Sequence, residues 1–283
     1  MLIVESQSLD VYRNLAIEEF LMEHVVDQGP VLFLWQSRDA VVVGKNQNPW
    51  KECRLGRMQA EEVPLARRIS GGGTVYHDAG NLNYCVIVDR REYREPQAFD
   101  MVIGALQPFG IKAERTGKSN LSTNGLKFSG NAFCFRKGRA LHHGTLLLHT
   151  DLDRLKRYLG SMCDGIETHA IASVPANVVN LERSIDELSI ALKERFQHVY
   201  RDASERVEWA GDDMEMPGLD ELYAKQRSDD WKYGATPKFE LDIEGSRLEV
   251  SRGVVVRAEG PLRVAVEGKS FSDVAFSLFC SVD

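Results

Sequence analysis

Apolar residues recur at near-helical spacing from the start of the chain. In SLDVYRNLAIEEFLMEHVV they fall at Leu9, Tyr12, Leu15, Ala16, Phe20 and Val26, and Ser8 or Asp10 is placed to cap the helix. The period then changes. VLFLWQ and AVVVGKNQN are short apolar runs that predict two strands joined by a turn at Ser37–Asp39. TVYHD and LNYCVIVD flank Ala79–Asn81 and predict a hairpin just after a run of glycines. AFDMVIGALQPFG predicts a helix stopped by Gly110. In LKFSGNAFCFRKGRALHHGTLLLHT, β-rich runs surround a turn at Arg136–Arg139, a second hairpin. DLDRLKRYL predicts a short helix. SIDELSIALKERFQHVYRD predicts a strongly amphipathic one, with Ile185, Leu188, Ala191, Leu192 and Phe196 on one face.

The pattern breaks at WAGDDMEMPGLDE, an acidic stretch holding Pro217 and Gly218 that reads as a linker. Short β-like runs follow (FELDIEG, RLEVSRG, VVVRAEG), and then FSDVAFSLF. The expected division is a main domain over 1–208, a linker over 209–220 and a small C-terminal α+β domain over 221–283. Hairpins mixed with helices, without regular βαβ alternation, give an α+β class.

Composition narrows the function. Of 283 residues, 43% are hydrophobic, enough for a sizeable core. The formal net charge is −7, which argues against a nucleic-acid coat, since such domains carry a basic excess. The five cysteines are odd in number and include no CxxC pair. They build neither a disulfide framework nor a structural zinc site, and they fit a reducing compartment. MLIVESQSLD lacks a basic region followed by an apolar run, and no apolar run approaches a membrane span. The expectation is a soluble cytoplasmic protein.

Three stretches carry candidate chemistry. RRISGGGTVYHDAGN places Ser70, Gly71, Gly72 and Gly73 between two arginines and a His-Asp pair. Such a run is either a tight turn or a backbone shaped to lie against an anion, with Arg67 and Arg68 supplying charge-assisted contacts. It is neither the Walker nor the dinucleotide pattern. His77 and Asp78 point to opposite faces of a strand, so they do not form a relay, and a structural role is favoured for His77. Asn81 either bonds a ligand or closes a turn. In GLKFSGNA, Lys127 stands beside Ser129 and Gly130, as a lysine leaning over a phosphate or an acyl carbonyl would, or as a solvated strand lysine. In LHHGTLL, the neighbours His142 and His143 cannot share a metal, and one faces a pocket while the other faces a core. Cys134, between aromatics, reads as a buried inert thiol.

Taken together, VVVGKNQN, RRISGGGTVYHDAGNLNY, GLKFSGNA and RKGRALHHGTLL resemble the motifs of the lipoate–protein ligases, within the biotin/lipoate ligase superfamily. The likeness runs from NLAIEEFL through SVPANVVNL, and WKYGATPKF onward is similar to the accessory domain of those enzymes. The resemblance implies a central mixed, largely antiparallel sheet flanked by helices, shared with biotin ligases and class II synthetases. It implies an enzyme that activates (R)-lipoate with ATP and magnesium. Lipoyl-AMP then passes its acyl group to one lysine of a carrier domain, on an E2 subunit of a 2-oxoacid dehydrogenase or on the glycine-cleavage H protein. By the family's pattern, Arg68, Ser70, Gly71, Gly72, Gly73, Thr74, Val75, Tyr76, Asn81, Lys127, Gly130 and Ala132 hold ATP and the adenylate. Lys127 steadies both transition states, and His143 and Gly144 line the lipoyl tunnel. Family members often carry an aspartate where GKSNL has Asn120, the position implied for magnesium.

Two other readings stay open. One is an ATP-independent octanoyl- or lipoyl-transferase working through a cysteine thioester, for which Cys134 is the candidate. The other is a non-catalytic protein that binds lipoyl domains.

Overall fold

The computed structural model describes residues 1–24, 29–200, 208–210 (by their backbone) and 215–279. Its contacts group the chain into two units. The first holds Met1–Arg38, His77–Leu152 and Pro175–Tyr223, and the second Asp39–Tyr76, Asp153–Val174 and Ala224–Asp283.

The first unit is built on an eight-stranded sheet. Its order is Glu208–Ala210, Leu2–Glu5, Val31–Trp35, Asn81–Asp89, Arg139–Leu147, Leu126–Arg136, Asn120–Thr123 and Glu114–Thr116. The first three strands run parallel and every later pairing is antiparallel. This is the mixed, largely antiparallel sheet of the expected α+β class. One face carries Leu32, Leu34, Tyr84, Val86, Ala140 and Leu146 against helices Glu95–Leu106 and Ile185–Tyr200 in a common core. The amphipathic stripe read from the sequence supplies Leu188, Leu192 and Phe196 to it.

Helix Val11–His24 lies on the opposite face. Asp10 caps it, accepting from the amide of Tyr12 at 2.8 Å. The second hairpin is present as Leu126–Arg136 and Arg139–Leu147, joined by Lys137 and Gly138 at φ 49 and 73. Two positive φ values in a two-residue loop match the right-handed twist of the strands.

The second unit holds a three-stranded sheet, ordered Leu65–Arg67, Ala40–Val43, Val75–His77, and a four-stranded one, ordered Glu167–Thr168, Phe239–Ile243, Ser246–Ser251, Val254–Glu259. Trp50 is fully buried among the rings of Tyr233, Phe239 and Phe271.

Three sequence expectations are corrected here. The hairpin expected of TVYHD and LNYCVIVD does not form, because Val75–His77 and Asn81–Asp89 belong to different sheets; Val31–Trp35 and Ala40–Val43, two strands joined by a turn as expected, are likewise in different sheets. The chain passes from one unit to the other between Arg38 and Asp39, and back between Tyr76 and His77. The C-terminal strands form as expected, but they do not close a core of their own. Glu167–Thr168 pairs with Phe239–Ile243, and Trp50, Tyr158 and Cys163 share the core of Phe239, Leu248 and Phe271. Within the stretch read as a linker, Glu208–Ala210 pairs with Leu2–Glu5, and 211–214 lie outside the described residues. No helix among the described residues is long and apolar enough to cross a membrane.

Candidate active site

In the first unit, the polar site residues collect on the sheet face that meets helix Val11–His24. Directly paired strand residues share a face. His143 pairs with Ala132 and Cys85, Thr145 with Asn83, and Leu147 with Asn81. Lys127 reaches the same face through an irregularity. Leu121 pairs with Ser129 but Ser122 pairs with Lys127, so Phe128 is an extra residue in its strand. A bulge of this kind reverses the alternation beyond it. Phe128 turns into the core while Lys127 joins Asn120, Gly130 and Ala132. A Cβ on Gly130 would lie 3.3 Å from the Lys127 Nζ, so the glycine leaves room for the ammonium. The Gly130 amide donates to Thr145 Oγ1 at 3.2 Å. The Lys127 backbone is clamped on both sides, its N–H donating to Asn177 O and its carbonyl accepting from Val179, each at 2.9 Å.

The paired histidines divide as the alternation requires. His143 Nδ1 donates to Glu18 Oε2 at 2.7 Å, and Trp35 Nε1 donates to Glu18 Oε1 at 3.1 Å. Both acid and imidazole are buried, so the carboxylate fixes the ring's tautomer and orientation. His142 faces the core. Its Nε2 donates to Asn131 Oδ1 at 2.8 Å, its ring stacks on Phe133, and burial drives its pKa down to about 3. Asn131 Oδ1 also accepts from the Tyr84 hydroxyl. Gly144, expected to line the tunnel, faces this side instead. Its Cβ would meet Tyr84 Oη at 2.6 Å and Asn131 Oδ1 at 2.7 Å.

Asn81 is fully buried and its Nδ2 donates to Asn83 Oδ1 at 3.0 Å. His77 is buried edge-on to Trp35, and Asp78 accepts from the amides of Gly80 and Asp151, so the pair serves the turn. Cys134 is half-buried on the His143 face rather than inert in a core. The cations of its hairpin, Arg136 and Lys137, pair with Glu19 and Glu23, which removes the electropositive setting a nucleophilic thiol needs.

In the second unit, the glycine run is a braced loop. Arg68 is buried and spends its guanidinium on backbone: Nη2 donates to Gly71 O at 2.6 Å and Gly73 O at 2.7 Å, and Nη1 to Val42 O at 3.2 Å. The C=O and N–H of a trans peptide point in opposite directions, so the Gly72 N–H is turned away from Arg68. Gly72 takes φ 84, which needs glycine. The Thr74 amide donates to Ser173 Oγ at 2.9 Å. Tyr76 is buried with its hydroxyl on Asp39.

Arg67, read as a phosphate ligand, has no exposure at all. Its Nη1 donates to the carbonyls of Gly44, Lys45 and Gln47, and its Nη2 to Lys232 O and Thr236 Oγ1. Burial lowers its pKa to about 10, still far above neutrality. Both arginines therefore shape the loop.

Glu18, Trp35, Gln47 and Ser173 were not singled out by sequence reasoning. Gln47 Oε1 accepts from Gly44 N and Thr74 Oγ1, both at 2.9 Å, while its Nε2 donates to Ser173 Oγ at 3.0 Å. The available signal was polarity inside apolar runs, Glu18 in the helix stripe and Gln47 after AVVVG.

The model of the lipoyl protein ligase A/B catalytic domain matches residues 10–199. Lipoate-protein ligase A of Bdellovibrio bacteriovorus is 37% identical over 244 residues, which is 83% of this chain and 72% of that protein. The crystal structure of P. falciparum LipL1 in complex with lipoate superposes with a TM-score of 0.71 at 28% identity, covering 92% of this chain and 83% of that one. A crystal structure of lipoate-protein ligase A bound with ATP gives 0.63 at 26% identity, covering 79% and 92%.

Proposed function

The chain belongs to the lipoyl protein ligase family, and from that premise we propose that it is an ATP-dependent lipoate–protein ligase. In the first half-reaction a lipoate carboxylate oxygen attacks the α-phosphorus of ATP. The bond to the β-phosphate breaks, leaving lipoyl-AMP and pyrophosphate. In the second, the amine of an acceptor lysine attacks the acyl carbonyl, loses a proton and expels AMP, leaving an amide.

Two anions must meet in the first step, and charge grows on oxygen in both. Lys127 answers this with a fixed positive charge beside the acyl carbonyl and α-phosphate, acting by electrostatics rather than proton transfer. The outward Gly72 amide and the backbone of Ser70–Tyr76 receive phosphate oxygens. Arg68 acts on ATP through the loop carbonyls it holds. Asn81, Gly130 and Ala132 border the nucleotide, and His143, held by Glu18, borders the lipoyl chain. Apolar walls around that chain protect the mixed anhydride from water.

Magnesium arrives with the nucleotide and, when bound, neutralises charge on the phosphate oxygens. Among the described residues no three His, Cys, Asp or Glu side chains converge on one ion. The Asn120 amide oxygen, on the Lys127 face, suits an ion held mainly by phosphates. The acceptor is the lipoyl domain of an E2 subunit or the glycine-cleavage H protein, and the reaction is placed in the cytoplasm.

The observation that carries this reading is the bulge at Phe128, which turns Lys127 onto the face of His143 and Thr145. The test is mass spectrometry of an apo lipoyl domain incubated with the protein, lipoate and Mg²⁺. A gain of one lipoyl group only when ATP is present is expected; a gain without ATP, or none at all, would overturn the reading.

A further inference from the structure

The glycine loop meets a third basic residue, Lys45, to which nothing above assigns a task. It sits on the turn after strand Ala40–Val43. Its amide donates to Ser70 O at 2.8 Å, and its carbonyl accepts from Arg67 Nη1 at 3.1 Å. On one side of it, Gly44 approaches the loop so closely that a Cβ there would lie 2.3 Å from Gly72 O. On the other side, the Gln47 amide closes the turn on Gly44 O at 3.1 Å, and the Gln47 carbonyl is held by Arg67. The Lys45 backbone is thus fixed against the loop on both edges.

The side chain contrasts with this. Lys45 is exposed, and its ammonium makes no hydrogen bond or ion pair among the described residues. Arg67 and Arg68 are occupied by backbone carbonyls, and their positive charge answers those dipoles. A triphosphate on the loop brings several negative charges, of which the outward amide of Gly72 meets only one oxygen. The charge left over belongs to the terminal phosphates. A lysine on a rigid turn offers what that end requires, a compact cation with a flexible stem.

We propose that Lys45 contacts the β- and γ-phosphates of ATP and steadies pyrophosphate as it leaves. The proposal rests on the ligase reading above. It predicts a specific pattern: Lys45 senses the part of ATP that AMP lacks.

The experiment is calorimetric titration of the full chain with ATP and with AMP, for the wild type, Lys45→Ala and Lys45→Arg. Loss of one charge-assisted contact should weaken ATP binding by Lys45→Ala about tenfold. AMP binding should stay at the wild-type value, and Lys45→Arg should recover most of the ATP affinity. Unchanged ATP affinity in Lys45→Ala would overturn the proposal. So would an equal loss for ATP and AMP, since that is the signature of a distorted loop. A wild-type chain that binds no ATP would sink the ligase reading itself, and this proposal with it.

Discussion

Gly44→Ala tests whether the glycine loop works as a braced surface. The added Cβ would stand 2.3 Å from Gly72 O, 3.1 Å from Gly71 O and 3.2 Å from Arg68 Nη2. The nearest obstacle is backbone, so no rotamer relieves it. The loop must withdraw by about 1 Å to reach ordinary contact distance. Gly71 O and Gly73 O are tied to Arg68, so that movement strains the guanidinium contacts too. Overpacking of this kind costs about 1–3 kcal/mol of stability. A displacement near 1 Å at a substrate-positioning surface costs roughly 10²-fold in rate. The assay is ATP–pyrophosphate exchange driven by lipoate, alongside thermal unfolding. Gly71→Ala is the control, because nothing lies within 4 Å of its Cβ position and its φ is outside the left-handed region. The control should unfold like the wild type. Gly44→Ala with wild-type exchange and wild-type unfolding would refute the reasoning.

Other perturbations separate charge from packing. Lys127→Ala should lower the rate of adenylate formation by about 10²–10³ while the unfolding temperature holds, which stopped-flow pyrophosphate release and calorimetry would check. Glu18→Gln weakens the grip on His143, and should raise KM for lipoate several-fold while KM for ATP stays fixed in steady-state kinetics. His142 titrates near 3 when folded and near 6.5 when unfolded, so between these values only the unfolded chain gains the proton. Its contribution is fully present above pH 6.5 and is lost as pH falls toward 3, with a slope of up to about 1.4 kcal/mol per pH unit. Urea unfolding between pH 5 and 7 should show this slope in the wild type and a shallower one in His142→Gln. Arg67→Met strips the donors from five acceptors, and should cost about 3 kcal/mol or more by the same measurement.

Elements whose cause is local could be read from the sequence. Helix Val11–His24 follows from its stripe and the Asp10 cap, and the hairpin at Lys137–Gly138 from flanking β-rich runs. Alternation cannot say which sheet a strand joins, so Val75–His77 and Asn81–Asp89 passed for a hairpin. The bulge at Phe128 was hidden for the same reason: it exists only relative to the register of Asn120–Thr123. Lys127 and His143 were singled out by the motifs they stand in, which could not show that the two share one face of the sheet. Arg67 and Arg68 were singled out as anion contacts, and a motif cannot show that backbone carbonyls already hold their guanidinium groups. Glu18 was passed over because it stands beside Glu19 in NLAIEEFL, where an acidic pair reads as the solvated face of a helix although both are buried.

The interleaving of the two units also constrains how the chain comes off the ribosome. The core around Trp50 waits for Phe239, Leu248 and Phe271, which are synthesised about two hundred residues later. Until then an early segment carries Trp50, Tyr76 and Tyr158 without their cover. Nascent chains stalled or cleaved near 208 should therefore be sticky and chaperone-bound, and a gene fragment for 221–283 should yield inclusion bodies rather than an isolated module.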